Sequence, residues 1–177
     1  MLFSEYNFSN IIALFIFIIA CATDAYDGYY ARKYNEVTPE GKFLDPLADK
    51  VLVSSTFIAF SYLDIIAFWM VALIIFRDLF VTGLRMVIEH KGFSMVTSLI
   101  AKTKTTFQYI IIIFTLIFLG LKGFSSKWAL LSIEIINHYN IIYNLTFFIT
   151  LFTVLTGFIY LYDNRKIIKE FIKEDES

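Results

Sequence analysis

The sequence has 177 residues, of which 58% belong to the apolar set AVILMFWYC, 19% are aromatic and 18% are charged. Soluble domains carry about 45–50% apolar and about 25% charged residues, and a body of this size lacks the interior to hide such an excess from water, so lipid is the expected solvent. The formal net charge of −1 disfavours broad nucleic-acid binding, which needs a basic face, and the single Cys21 excludes an intramolecular disulfide.

The apolar runs predict an all-α, polytopic transmembrane helix bundle of about five spans, at 8–33, 43–63, 65–90, 99–121 and 140–162. The first run, Phe8–Thr23, has no basic region before it and leads directly into carboxylates, which does not fit a cleavable signal. Val51–Leu63 and Ile65–Phe76 are also shorter than a full span before an ionisable residue, so all three read as spans whose ends carry working polar groups. Phe107–Leu121 is uncharged for 15 residues, and Ile141–Tyr162 for 22, enough to cross the hydrocarbon once. Between these two spans, 122–139 is expected to be a loop with Trp128 as an interfacial anchor. After them, 162–177 is expected to be a solvated cytoplasmic tail. Ile167, Ile168, Phe171 and Ile172 on one side of it allow an interfacial amphipathic helix as the alternative.

Charge sets the orientation. Thirteen of the 15 basic residues flank the first connection, the third connection or the end of the last span, or lie at Arg77; only Lys122 and Lys127 lie opposite. The first set marks the cytoplasmic side. The amino terminus is then outside and the carboxyl terminus inside. His90 and His138 are isolated, so a histidine-based metal site is not expected.

Most of the chemistry is concentrated in residues 24–49. Asp24, Asp27, Gly28 and Ala31 follow the spacing i, i+3, i+4, i+7 and share one helix face, while Asp45 and Asp49 share a face of the next helix. An isolated Asp in a span costs about 2.5–3.5 kcal/mol, and four together repel and are driven to protonate. Two divalent cations cancel four carboxylates, and an all-oxygen donor set selects Mg²⁺ or Mn²⁺. Such a pair of ions is the clamp used for phosphoryl chemistry. Gly28 and Ala31 leave room for a phosphate or nucleotide to approach the backbone, and Arg32 offers a planar fork to phosphate oxygens. Simpler roles exist: Asp45 before Pro46 also fits a helix cap, and Asp24 and Asp27 could pair with Arg32 or Lys33.

The whole pattern, D-x-x-D-G-x-x-A-R, eight residues, then G-x-x-x-D-x-x-x-D, resembles the signature of the CDP-alcohol phosphatidyltransferases at all eight specified positions. The resemblance implies a membrane enzyme, generally a homodimer of six-helix subunits, that moves a phosphatidyl group from a CDP-linked lipid to an alcohol and releases CMP. It implies that Asp24, Asp27, Asp45 and Asp49 hold two metal ions, that Asp49 is also the catalytic base, and that Gly28, Ala31, Arg32 and Gly41 line the CDP site. It further implies one domain over 1–177, in the cell (inner or plasma) membrane, with the active site on the cytoplasmic face. The family's first helix is expected to be missing from this chain, which would begin in the loop after it.

A second resemblance concerns the acceptor. Arg77-Asp78 through Val81-Thr82-Gly83-Leu84-Arg85, and Ala101-Lys102-Thr103-Lys104-Thr105, are similar to the corresponding helices of phosphatidylglycerophosphate synthases. Independently, Arg77 and Arg85 lie about two turns apart, and Lys102 and Lys104 enter the next helix from the same side. Such a basic pocket suits an acceptor with its own phosphate, and the partners expected are CDP-diacylglycerol, glycerol 3-phosphate and membrane lipid. An inositol phosphate also presents a phosphate, and serine or phosphatidylglycerol remain alternative acceptors. Outside the family, the carboxylates could serve a divalent-cation transporter, or the chain could be an inactive membrane subunit. The clustering of the acids beside Gly, Ala and Arg suits a nucleotide site better than an ion path.

Overall fold

The computed structural model describes the backbone at 9–34, 39–95, 99–124 and 126–175; side chains at 24, 25, 28, 29, 31, 32, 39–49, 99–102 and 173–175 fall outside the description. Seven helices account for most of it: α1 (Ser9–Tyr34), α2 (Pro39–Tyr62), α3 (Phe68–His90), α4 (Leu99–Leu121), α5 (Lys127–His138), α6 (Ile141–Asp163) and α7 (Arg165–Asp175). Among the described residues there is no strand. The architecture is a helical membrane bundle.

The five long helices match the five predicted spans, with shifted ends. α2 begins at Pro39 rather than near 43, where proline's missing N–H costs nothing in a first turn. α3 begins at Phe68 rather than 65 because the chain reverses first. Asp64 adopts the left-handed conformation (φ 56°), and the Ile65 amide donates back to the Phe60 carbonyl at 3.0 Å, closing α2 with a Schellman turn. Gly92 (φ 90°) ends α3 in the same way, with the Phe93 amide donating to the Ile88 carbonyl at 3.3 Å.

Two expectations are corrected. The 122–139 segment is not a loop. Ser126 precedes the 12-residue α5, which buries Ala129 and presents Trp128, Leu130, Leu131 and Ile135 outward. Nor is the tail merely solvated: α7 packs Ile167, Ile168 and Phe171 on a small core of Val81, Ile88, Met95 and Tyr160.

α4 is the central helix, touching α1, α2, α5 and α6, while α3 lies between α2 and α6. The main core is built from Phe57, Phe60, Met70, Ile74, Ile112, Leu116 and Ile149 with their neighbours. α6 turns inward a stripe of Thr146, Thr150, Thr153, Thr156 and Gly157. The hydroxyls of Thr146, Thr150 and Thr156 each donate to a carbonyl of their own helix at 2.7–2.9 Å, so they enter the core without orphaned donors. Small side chains of this kind let helices approach closely in lipid. Large apolar residues such as Phe15, Ile19, Phe76, Phe148 and Phe158 point outward. Thr103–Leu121 and Ile141–Asp163 are long and apolar enough to cross a membrane.

Candidate active site

Helix register decides which residues share a depth. Asp64, Lys122, Asn137 and Asn140 gather round one cleft of about 200 Å³ at one end of the bundle. Counting from Lys122 down α4 to Lys104, or from Asn140 down α6 to Gly157, advances about 25 Å at 1.5 Å per residue. Both counts arrive at one layer, because Arg77 of α3 touches Gly157 and its neighbour Asp78 touches Lys104. α1 runs antiparallel to α4: the Asn10 side-chain amide donates to the Leu119 carbonyl at 3.4 Å, and the rings of Phe17 and Tyr109 lie 6.2 Å apart. Continuing that register brings positions 24 to 27 level with about residues 99–105 of α4. Lys50 of α2, next to Asp49, is close enough to act electrostatically on both Asp78 and Lys104. All five long helices therefore contribute to a single layer remote from the Asp64–Lys122 end.

At the centre of this layer is Asp78, 2% exposed. Its Oδ1 accepts from the ammonium of Lys104 and, at 3.4 Å, from Nη1 of Arg77. Its Oδ2 accepts from Nε2 of Gln108 at 3.1 Å. Arg77 also donates through Nη2 to the Thr156 hydroxyl at 3.3 Å. Its stem crosses α6 where a glycine makes room: a Cβ on Gly157 would lie 3.0 Å from both Cγ and Nε of Arg77. Two buried polar atoms of this cluster, Arg77 Nε and Gln108 Oε1, have no partner among the described residues. Arg77 is the charged member of an otherwise apolar groove of about 320 Å³ between α3 and α6, walled by Leu73, Phe76, Phe80 and Phe158.

The expected acceptor residues thus separate. Lys104 is buried, Arg77 is partly buried, and the two are joined through Asp78. Arg85, two turns further along α3, is exposed and holds Glu89 at 2.8 Å. Both arginines act on the buried Tyr160 of α6, whose hydroxyl donates to Met95 Sδ at 3.6 Å. The side chain of Lys102 lies outside the described residues.

Of the four aspartates, Asp27 is described, as an exposed residue of α1. Asp24, Gly28, Ala31 and Arg32 take helical backbone positions on α1, as do Gly41, Asp45 and Asp49 on α2, but their side-chain surroundings lie outside the described residues. Residues 24 and 27 are nearly one turn apart on α1, and 45 and 49 about one turn apart on α2, and both helices pack on α4. Four carboxylates on such positions are a hard-oxygen donor set of the kind Mg²⁺ and Mn²⁺ take.

The sequence model of "CDP-alcohol phosphatidyltransferase" matches residues 1–152. The chain belongs to the CDP-alcohol phosphatidyltransferase family. Members of this family are membrane-associated and generally depend on divalent cations. A relative from Bacillus subtilis (strain 168), named CDP-diacylglycerol–glycerol-3-phosphate 3-phosphatidyltransferase, is 48% identical over 102 residues, which are 58% of this chain and 53% of the relative. A relative of the same name from Rickettsia bellii (strain RML369-C) is 38% identical over 115 residues, 65% of this chain and 62% of the relative. A third, from Rickettsia prowazekii (strain Madrid E), is 40% identical over 108 residues, 61% of this chain and 59% of the relative. The chain thus spans about half to three-fifths of the length of these phosphatidyltransferases.

Sequence reasoning passed over Asp78, Gln108, Thr156 and Gly157 as site residues. The signal was present for three of them: polar side chains inside apolar runs are expensive in lipid and mark working positions. Gly157 gives no such signal, since only the packing of Arg77 against it shows that a side chain there would collide.

Proposed function

We propose that the protein transfers the phosphatidyl group of CDP-diacylglycerol to sn-glycerol 3-phosphate, giving phosphatidylglycerophosphate and CMP, on the cytoplasmic side of a multi-pass assembly in the cell membrane. The family signature and the names of the relatives support the reaction class. The observation that carries the choice of acceptor is the charge of the buried layer. Arg77 and Lys104 converge there on Asp78, and Lys50 is close enough to act on both Asp78 and Lys104. A guanidinium and an ammonium gathered at one depth suit an acceptor that carries its own phosphate, which charge-assisted hydrogen bonds recognise.

In this proposal Asp24, Asp27, Asp45 and Asp49 hold two divalent cations, which when bound supply charge neutralisation at the pyrophosphate. Gly28, Ala31 and Gly41 let the CDP moiety approach the backbone, and Arg32 binds its phosphate oxygens. Arg85, exposed at the end of the layer, meets the incoming acceptor, with Lys102 beside it; Arg77 and Lys104 hold the acceptor's phosphate deeper in. Asp49 accepts the proton of the acceptor's terminal hydroxyl as that oxygen attacks the β-phosphorus, and the bond to the CMP oxygen breaks. A membrane-level site suits these partners, since acyl chains stay in lipid while the headgroup meets a water-soluble acceptor. The protein is further proposed to act as one domain and as a homodimer.

The deciding experiment supplies the full chain, in detergent with Mn²⁺ or Mg²⁺ and CDP-diacylglycerol, with radiolabelled glycerol 3-phosphate, inositol phosphate, serine or phosphatidylglycerol in turn. Label entering lipid from glycerol 3-phosphate alone is the expected result. Lipidation of another acceptor, or of none, overturns the proposal.

A further inference from the structure

Asp78 has no role in the reaction just described, yet among the described residues of the layer it is the most heavily engaged polar side chain. One buried carboxylate accepts from Lys104 and Gln108 on α4 and from Arg77 beside it on α3. From this node we infer that Asp78 is a positioning residue of the acceptor pocket: it fixes Lys104 and Arg77 at one depth and spacing, and so sets the affinity for a phosphate-bearing acceptor. The inference rests on the proposed function and deepens it.

Two opposed effects decide what Asp78 does. As an anion near a phosphate site it repels the acceptor, so its removal should strengthen binding if the cations stayed in place. They have little reason to stay. Lys104 is 2% exposed, Asp78 is its bonded partner, and Arg77 and Lys50 act on it as like charges. Without Asp78 its flexible stem can carry the ammonium toward the aqueous interface. Arg77 is better restrained, by Thr156 and by the notch at Gly157, but its Nη1 would lose the carboxylate that orients the guanidinium plane. Gln108 presents its amide nitrogen to Asp78 while its Oε1 has no partner among the described residues, so the amide is oriented by Asp78. Loss of position should therefore outweigh loss of repulsion.

The test measures KM for glycerol 3-phosphate and KM for CDP-diacylglycerol separately, by CMP release, in the full chain and two variants. Asp78→Asn removes the charge at nearly constant shape; it should raise the glycerol 3-phosphate KM by about tenfold or more and leave the CDP-diacylglycerol KM within about twofold. Asp78→Glu keeps the charge and moves it by one methylene. It should give a smaller rise, about threefold, again confined to the acceptor. In a Lys104→Met background, Asp78→Asn should add less than it does alone, because the two act through one contact. A fall in the acceptor KM for Asp78→Asn, or equal changes in both constants, overturns the inference while the proposed function stands. If Asp78→Asn does not fold, Asp78→Glu decides: an unchanged acceptor KM overturns it. A wild-type chain that lipidates no phosphate-bearing acceptor removes the proposed function, and this inference with it.

Discussion

Lys104 enters the bundle one turn inside α4 with 2% of its surface exposed, and its ammonium rests on a carboxylate from the neighbouring helix. A buried charge is tolerable only with such a partner, and deleting one member of the pair leaves the other uncompensated. Lys104→Met should therefore destabilise the fold by about 3–5 kcal/mol, read as a lowered midpoint in thermal denaturation of the detergent-solubilised chain. Lys104→Met combined with Asp78→Asn should recover most of that loss. At Asp49 the expectation is chemical rather than structural. If it is the general base, Asp49→Asn should cut Mn²⁺-dependent CMP release by about 10²–10⁴-fold with an unchanged melting temperature; normal release would remove its assigned role. The four aspartates were conspicuous in the sequence because their spacing is that of a helix face. Asp78 was not, because Arg77 beside it offered a ready local partner, and its contacts with Lys104 and Gln108 link residues 26 and 30 positions away.

α6 shows how one element positions another. Its inward stripe of threonines and Gly157 lets α3 approach until the stem of Arg77 lies on the backbone. Gly157→Ala would put a methyl 3.0 Å from Arg77 Cγ and Nε, and because Cγ is mid-stem the whole side chain must move. A cost of about 1–3 kcal/mol is expected, together with weaker acceptor binding, measured as denaturation midpoint and acceptor KM. α7 is held differently. The Phe171 ring meets Phe93 edge-on at 6.4 Å, and the Lys91 ammonium lies 4.9 Å from its centre. Phe171→Ala, at a half-buried position, should lose about 2 kcal/mol of docking and expose the α7 amides to hydrogen exchange, with α6 unaffected. Five helices were readable from long apolar runs. α5 was not, since short helices depend on tertiary packing more than on propensity; α7 was legible only as the amphipathic alternative, and the surface it covers is assembled from α3, α6 and the segment after α3.

At the scale of the whole molecule, the two ends of the bundle are chemically distinct. One carries Asp64, Lys122 and Asn140 round a small polar cleft; the other joins the buried charged layer to the basic segments. With Cys21 replaced, single cysteines at Lys122 and Lys166 should react with a membrane-impermeant thiol reagent from opposite sides of sealed vesicles. Labelling of both from one side would overturn the proposed orientation. Chelation of divalent cations should abolish CMP release, and Mg²⁺ or Mn²⁺ should restore it, whereas helix content by circular dichroism should stay constant because the core is apolar and formed by the chain itself.

By itself the sequence determined the solvent, the five long helices and the family, since hydropathy, helical periodicity and a spaced signature are local properties of a chain. Only the tertiary structure decided how the cations are distributed. Arg77 and Lys104 are drawn inward round Asp78, while Arg85 remains at the surface with Glu89. That division follows from which helices touch and at what depth. It is settled by long-range register and by the need of every buried charge for a partner, and no window along the chain contains either.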